Sequence, residues 1–102
     1  MEHGKPDVAG FLERLRTYVD EGKVLVRNKA LDEARAELQM EFEDIVAFLP
    51  ELLDEDFERT EPSKARPEDV VWVFIAEVAH SEFWIRLVER NGIVVISFHE
   101  AG

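Results

Sequence analysis

The residue types that could carry chemistry in this chain gather in the C-terminal stretch Phe83–Glu100. His99 supplies an imidazole whose unperturbed pKa of about 6.5 suits proton transfer near neutral pH. Arg86 supplies a guanidinium with forked donors that match an anion. Trp84 supplies an indole ring. No other group of residues in the sequence combines a titratable side chain with a cation and an aromatic surface in this way.

A predicted hairpin brings these residues together. Asn91-Gly92 lies between two apolar-rich segments, and a type I′ turn needs φ > 0 at both central residues. A two-residue turn aligns Trp84 with His99 and Arg86 with Ser97, and opposed or alternate residues share a face. The face expected to pack on the core consists of Phe83, Ile85, Leu87, Glu89, Val94, Ile96, Phe98 and Glu100. The opposite face consists of Trp84, Arg86, Val88, Arg90, Ile93, Val95, Ser97 and His99.

The elements before the hairpin are predicted from apolar spacing and from Pro, Gly and Asn signals. In order, they are a helix over 6–21 that begins at Pro6, a short strand over 23–27, a helix over 29–39 capped by Asn28, a helical stretch over 41–49 with Phe42, Ile45, Val46 and Leu49 inward, a short strand around Phe57, a loop over 61–68 and a central strand over 70–79. This order indicates one α+β domain, residues 1–102. The N-terminal helices pack on one face of a small, mostly antiparallel sheet that ends in the hairpin.

Composition narrows the function class. The net charge is −11, and residues 32–69 hold 14 acidic against 4 basic residues. Such acidity opposes nucleic-acid binding and favours a basic protein partner, whereas the hairpin face is locally cationic. There is no cysteine and no apolar run of the roughly 20 residues that cross a membrane. The N-terminus lacks a signal peptide's apolar region. We therefore expect a cytoplasmic protein without thiolate metal sites.

Four segments resemble a known family in their order and spacing. They are FLERLRTYVDEGKVLVRNKAL, FEDIVAFLPELLDEDFERT, VVWVF and FWIRLVERNGIVVISFHE. This set is similar to the MqsR-type toxins, bacterial mRNA interferases of the RelE-like fold. The resemblance implies a metal-independent RNA-cleaving site on the sheet, a cognate antitoxin partner, an mRNA substrate and no cofactor. It also implies no membrane contact, and no DNA contact except through the antitoxin.

The resemblance also implies where the site lies. Family members place a Lys after the D-F pair, where this chain has Arg59, and a Gln beside the Trp of the central strand. Val73 holds that second position, or Val71 if the strand is aligned from its other end. The family Tyr that opens the hairpin corresponds to Trp84, and the Lys after S-F corresponds to His99.

Metal-independent RNA cleavage assigns roles to these residues. It needs a base for the 2′ proton, cations for the charged phosphorane and an acid for the leaving 5′ oxygen. We predict His99, Arg86 and Arg59 as catalytic residues, and Trp84, Arg90 and Ser97 as substrate-binding residues. Glu77 or Glu100 is a candidate for the second acid or base.

A structural interpretation of the same residues stays open. His99 can be a solvated side chain, Trp84 can be half-buried packing, and Arg59, Arg86 and Arg90 can pair with the many acids. Ser97 can bond locally. Asp54–Asp56 lacks the spacing of a calcium loop, and His3 and His80 share no ligand spacing with His99. The alternative function is a non-catalytic module on the same fold that binds a basic partner protein.

Overall fold

The structure is a computed structural model that describes residues 7–78 and 80–100. In its last strand the side chains of Ile93, Phe98, His99 and Glu100 lie outside that description. The elements follow in the order α1 Val8–Asp20, β1 Val24–Val26, α2 Asn28–Leu38, α3 Phe42–Phe48, two short 3-10 turns Leu49–Glu51 and Asp54–Asp56, β2 Phe57–Pro62, β3 Val70–Val78, β4 Ser81–Arg90 and β5 Ile93–Glu100.

The strands form a five-stranded sheet in the spatial order β1-β5-β4-β3-β2. Consecutive strands from β2 to β5 pair antiparallel, while β1 pairs parallel with β5. The α+β class and the mostly antiparallel sheet that ends in the hairpin are therefore confirmed. The parallel edge strand places the residues that follow β1 beside the end of the hairpin.

The predicted turn and register of the hairpin are confirmed. Asn91 and Gly92 have φ values of 53° and 77°, which is the left-handed region that a type I′ turn requires. Trp84 pairs with His99 and Arg86 with Ser97. The backbone register therefore agrees with the assignment of hairpin residues to two faces that the sequence predicts.

All three helices cover one face of the sheet, which we call the covered face. Phe11 and Leu15 of α1, together with Ala34 of α2, are fully buried in the main core. Phe11 stacks on Trp72 of β3 with ring centroids 4.3 Å apart. Because alternate residues of a strand share a face, the same side of the sheet carries Phe74, Ala76, Phe83, Ile85, Leu87, Val94 and Ile96.

The helix boundaries differ from prediction in small ways. Helix α1 is capped by the Asp7 carboxylate, which accepts a hydrogen bond from Gly10 N at 2.9 Å, and Pro6 lies outside the described residues. Asn28 was expected as the cap of α2 but is its first residue. Arg27 occupies the cap position and makes no side-chain capping bond. The one-residue offset has a physical reason, since the Arg27 amide is already bonded to Ile96 O of β5.

The third helix corrects one inward assignment. Ile45 and Leu49 are buried as expected, whereas Phe42 is 40% exposed. Phe42 is the first residue of a helix of 7 residues, so it lies at the edge of the helical layer rather than over the sheet. The helix ends at Phe48, and Pro50 falls in the following 3-10 turn, which agrees with the predicted stop.

No helix in the described ranges has the length and apolar character that crossing a bilayer requires.

Candidate functional site

The second face of the sheet has no helix over it in the described part of the chain, and we call it the open face. Strand alternation places on it Arg59 and Glu61 of β2, Val71, Val73, Ile75 and Glu77 of β3, Glu82, Trp84, Arg86, Val88 and Arg90 of β4, and Val95, Ser97 and His99 of β5. Val71, Val73 and Val88 form a small buried cluster at its centre. Charged and aromatic side chains surround that cluster.

One line of directly opposed residues crosses four strands of the open face. Arg59 pairs with Val73, Val73 with Arg86, and Arg86 with Ser97. Neighbouring strands lie about 4.8 Å apart, so the two arginine backbones stand roughly 10 Å apart. The adjacent line holds Ile75, Trp84 and His99. The register thus brings five of the six predicted site residues, Arg59, Arg86, Ser97, Trp84 and His99, onto two adjacent lines.

Arg86 and Arg59 share one carboxylate. Arg86 Nη1 lies 2.8 Å from Glu61 Oε1, and Arg59 Nε lies 3.7 Å from Glu61 Oε2. The Arg86 contact is close but poorly aligned. Glu61 Oε1 and Arg86 Nε are both buried, and neither has a hydrogen-bond partner among the described residues. A buried donor without an acceptor costs about 1–3 kcal/mol. An oxyanion toward which the Arg86 guanidinium turned would remove that cost.

Trp84 combines packing with exposure. Its indole is half-buried and packs against the valine cluster, which is the structural interpretation that was left open. The Arg59 guanidinium lies over the ring, 5.2 Å from its centroid. This cation–π contact fixes Arg59 beside Trp84, so the two side chains form a single surface.

His99 pairs with Trp84 in the register, and its side chain lies outside the described residues. Glu77 of β3 pairs with Glu82 of β4. Strand alternation places both carboxylates on the open face, next to the pair formed by Ile75 and Trp84. The sequence named Glu77 as a candidate acid or base without placing it. The register now puts Glu77 on the face of Trp84, and it adds Glu82, which sequence reasoning missed.

The last two predicted residues are Arg90, which lies outside the two lines, and Ser97, which ends the first line on β5. Arg90 Nε donates to Asp69 Oδ2 at 3.0 Å. Arg90 Nη2 lies 2.9 Å from the same oxygen without an aligned hydrogen bond, so the charge of Arg90 is already paired. Ser97 lines a cleft with Arg86 on the β5 side of the face. The structural interpretation of Arg90 was an ion pair with an acidic residue, and the structure shows that ion pair.

Arg27 and Lys64 also line that cleft, and sequence reasoning assigned neither a function. Arg27 reaches Ser97 only because β1 pairs parallel with β5, and nothing in a three-residue strand reveals its partner. Lys64 belongs to a loop that folds back along β2 and β3. No sequence signal could have found these two residues before the topology was known.

The model of one protein family, described as "Motility quorum-sensing regulator, toxin of MqsA", matches residues 9–100. The chain belongs to the MqsR toxin family. It is therefore a toxin of a toxin–antitoxin system. A search of curated proteins gives no significant match.

The resemblance to the MqsR-type toxins implies four site positions, and their role stays a prediction. They are Arg59, Val73, Trp84 and His99. In this fold Arg59 is opposite Val73, and Trp84 is opposite His99 on the adjacent line. Four positions taken from three separate segments of the chain thus lie on one face of the sheet. The alternative alignment at Val71 lies on the same face but pairs with Glu61 and Val88, farther from Trp84.

Proposed function

We propose that this chain is an mRNA endoribonuclease, the toxin of a type II pair, that cleaves RNA without a metal ion at the open face. The observation that carries the proposal is the convergence of Arg59, Arg86, Trp84 and His99 on two adjacent lines of one uncovered sheet face. We further propose that residues 1–102 act as one domain in the cytoplasm, where mRNA is translated. A cognate antitoxin would restrain the activity, and DNA contact would come only through that antitoxin.

The reaction uses the substrate's own 2′-hydroxyl as nucleophile. The 2′ oxygen attacks the adjacent phosphorus, a base takes the 2′ proton, and the P–O5′ bond breaks as an acid protonates the leaving oxygen. The products are a 2′,3′-cyclic phosphate and a free 5′-hydroxyl. Negative charge builds on the non-bridging oxygens in the transition state, so cations fixed beside them lower the barrier.

We assign the phosphate to Arg86 and Arg59. Arg86 lies between Ser97 and Val73, with an unpartnered Nε and a poorly aligned contact to Glu61. A phosphate accepts from guanidinium in the forked geometry that Glu61 does not satisfy. Binding therefore exchanges an imperfect ion pair for a better one. Ser97, opposite Arg86, donates a hydroxyl to the same phosphate.

His99 exchanges a proton with the substrate, and Trp84 stacks a base beside it. An imidazole titrates near working pH and contributes about 10²–10⁴-fold in general acid–base catalysis. One imidazole cannot take the 2′ proton and give the 5′ proton in the same step. A second group is needed, and Glu82 and Glu77 on the same face are the carboxylates nearest to that line. Arg90, held by Asp69, contacts only the flanking strand of a longer RNA.

The products of the reaction test the proposal directly. We expect the purified chain to cut single-stranded RNA in the presence of EDTA and to leave 2′,3′-cyclic phosphate ends. An oligonucleotide with 2′-deoxy sugars throughout should stay intact. Mass spectrometry of the fragments distinguishes these ends from a 3′-hydroxyl. RNA that remains whole, or cleavage of the 2′-deoxy control, would contradict the proposed mechanism.

The non-catalytic alternative has its own observation. Ten of the 14 acidic residues between positions 32 and 69 lie in 32–56, the segment that forms α2, α3 and the 3-10 turns. This acidic helical layer suits a basic partner protein. The alternative predicts tight, salt-sensitive protein binding by wild-type chain and no RNA cleavage. Intact RNA together with undiminished antitoxin binding by His99→Ala and Arg86→Ala would favour it.

A further inference from the structure

The cleft on the β5 side of Arg86 extends beyond the proposed catalytic residues. It has a volume of about 350 Å³. Arg27 and Lys64 line it together with Arg86 and Ser97. It therefore continues the proposed site toward β1, on the opposite side of Arg86 from Arg59.

Backbone pairing fixes Arg27 at the wall of this cleft. Val26 pairs with Ile96, and Arg27 N donates to Ile96 O at 3.0 Å, so Arg27 continues β1 alongside Ser97. Arg59, Arg86 and Arg27 thus stand on one line that crosses the whole sheet. With strands about 4.8 Å apart, they are spaced at roughly 10 Å intervals.

A folded loop holds Lys64 at the opposite wall. Ser63 N donates to Asp69 O at 3.1 Å and Asp69 N donates to Arg66 O at 2.8 Å, which closes the loop on itself. Ser63 is buried at 9% exposure, so the residue before Lys64 is anchored. Lys64 is exposed and faces the cleft from this support.

The charges of Arg27 and Lys64 are not neutralised within the cleft. The side chains of Arg27 and Lys64 have no ion-pair or hydrogen-bond partner among the residues that the structure describes. Glu61 is the carboxylate on the wall of the cleft. An adjoining cleft shares Arg27, Lys64, Arg86 and Ser97 with it and adds one cation, Lys29, and one carboxylate, Glu33. Four cations therefore face two carboxylates in the two clefts together, in a chain whose net charge is −11.

We propose that this cleft binds the phosphodiester backbone of the RNA strand beyond the cleaved bond, so that the strand crosses the sheet from β2 toward β1. The inference rests on the proposed function. A linear series of cations that extends across five strands matches a polyanion rather than a single small anion. Arg27 and Lys64 are then substrate-positioning residues, and they act on affinity rather than on the chemical step.

The test compares Arg27→Ala/Lys64→Ala with a control that removes the same charge elsewhere. Arg16→Ala/Lys23→Ala is suitable, because Arg16 is exposed on α1 and Lys23 pairs only with the neighbouring Glu21 in the described residues. Binding is measured with non-cleavable 2′-O-methyl RNA of ten nucleotides over a salt series. Cleavage is measured on ten-nucleotide RNA and on a dinucleotide.

We expect the cleft variant to bind the long RNA roughly tenfold more weakly at low salt. The slope of log affinity against log salt should become shallower by about 0.7 for each phosphate that the variant no longer neutralises, or about 1.4 for both side chains. The kcat on long RNA and the kcat/KM on the dinucleotide should match wild type. The control should match wild type throughout, and Arg27→Lys/Lys64→Arg should restore the affinity.

The other outcomes separate the two proposals. If the cleft variant binds long RNA like wild type, the cleft proposal is wrong, although wild-type cleavage would still support the proposed function. If wild type binds RNA without cutting it, the proposed function fails, and weaker binding by the cleft variant alone still supports the cleft. If wild type neither binds nor cuts RNA, both proposals are wrong.

Discussion

The two faces of the sheet each carry a glutamate next to an arginine, and the two glutamates differ in their hydrogen bonding. On the covered face, Glu89 accepts from Arg14 Nε at 2.8 Å, Arg14 Nη2 at 3.0 Å and Tyr18 Oη at 2.8 Å. On the open face, Glu61 is as close to Arg86, at 2.8 Å, but accepts no aligned hydrogen bond there. The Glu89 carboxylate accepts three hydrogen bonds and links α1 to β4. The Glu61 carboxylate leaves the Arg86 guanidinium able to bind a better acceptor.

The distribution of charge follows the same division. The acidic residues of the middle third are concentrated in the helical segment 32–56. The open face is mixed, since Arg59, Arg86 and Arg90 stand among Glu61, Glu77 and Glu82. A net charge of −11 therefore does not make this face uniformly negative. Bulk acidity alone is a poor guide to what one face of a sheet binds.

Removing an aromatic ring from the covered face should have the largest effect on stability. Phe74 is fully buried and lies in the ring cluster with Phe11 and Phe57. We expect Phe74→Ala to lower the free energy of unfolding by about 3–5 kcal/mol, because it leaves a cavity. Urea denaturation measures the change. Leu25→Ala, at an edge-strand position 55% exposed, is the control and should change stability by less than about 0.5 kcal/mol.

Removing an aromatic ring from the open face should instead affect RNA. If Trp84 stacks a base, Trp84→Ala should weaken binding of non-cleavable RNA by about 1–3 kcal/mol. Its effect on unfolding should be smaller than that of Phe74→Ala, since Trp84 is only half-buried. Trp84→Phe keeps a stacking surface and should retain most of the affinity. Equal RNA binding by wild type and Trp84→Ala would reduce this residue to packing.

The Glu89 carboxylate gives a pH-dependent prediction. Hydrogen bonds from Arg14, opposed by desolvation and aided by Tyr18, lower the pKa of Glu89 below its ordinary value. A lowered folded-state pKa stabilises the fold above the unfolded pKa, about 4.3, and this stabilisation is lost as the pH falls through the folded value. We expect Glu89→Gln to cost about 1 kcal/mol at pH 7, a figure discounted because the Arg14 side chain is 47% exposed.

The free energies of unfolding of Glu89→Gln and wild type should converge as the pH drops below about 4.3. Glu58→Gln, at an exposed position of β2, is the matched control and should show no such convergence. A difference between wild type and Glu89→Gln that stays constant from about pH 7 to about pH 3 would mean that the Arg14 contact does not act through the charge of Glu89.

The Glu61 carboxylate should show the smallest effect, and in the opposite direction. Glu61→Gln removes the negative charge beside Arg86 and Arg59 but keeps an acceptor of the same shape. We expect stability to change by less than about 0.5 kcal/mol and RNA affinity to rise several-fold at low salt. The gain should vanish at high salt, because it is electrostatic. Weaker RNA binding by Glu61→Gln would show that Glu61 positions Arg86 rather than competing for it.

The sequence predicts the hairpin well because the signal is local. Asn91-Gly92 specifies the turn, the turn specifies the register, and the register specifies the face of every residue from 83 to 100. Local signals of this kind do not predict the positions of Arg27 and Lys64. Their positions depend on a parallel pairing between β1 and β5 and on the folding of a loop, which are non-local events without a sequence pattern.

Side-chain pairing was also beyond the sequence. The excess of acidic residues indicated that the arginines could form ion pairs. It did not indicate which acidic residue each arginine would contact. Arg90 is paired with Asp69 and Arg86 shares Glu61 with Arg59 because β2, β3 and β4 are adjacent in one register. Phe42 was assigned inward from helical spacing, and the shortness of α3 leaves it at the edge.

The most direct test of the open face as a catalytic site is the single-turnover cleavage rate of His99→Ala on one defined RNA in EDTA. We expect the rate to fall by about 10²–10⁴-fold with unchanged affinity for the non-cleavable analogue. His80→Asn, which suits the positive φ of 72° at that turn, should cleave at the wild-type rate. Cleavage by His99→Ala at the wild-type rate would contradict a catalytic role for the imidazole at this strand end.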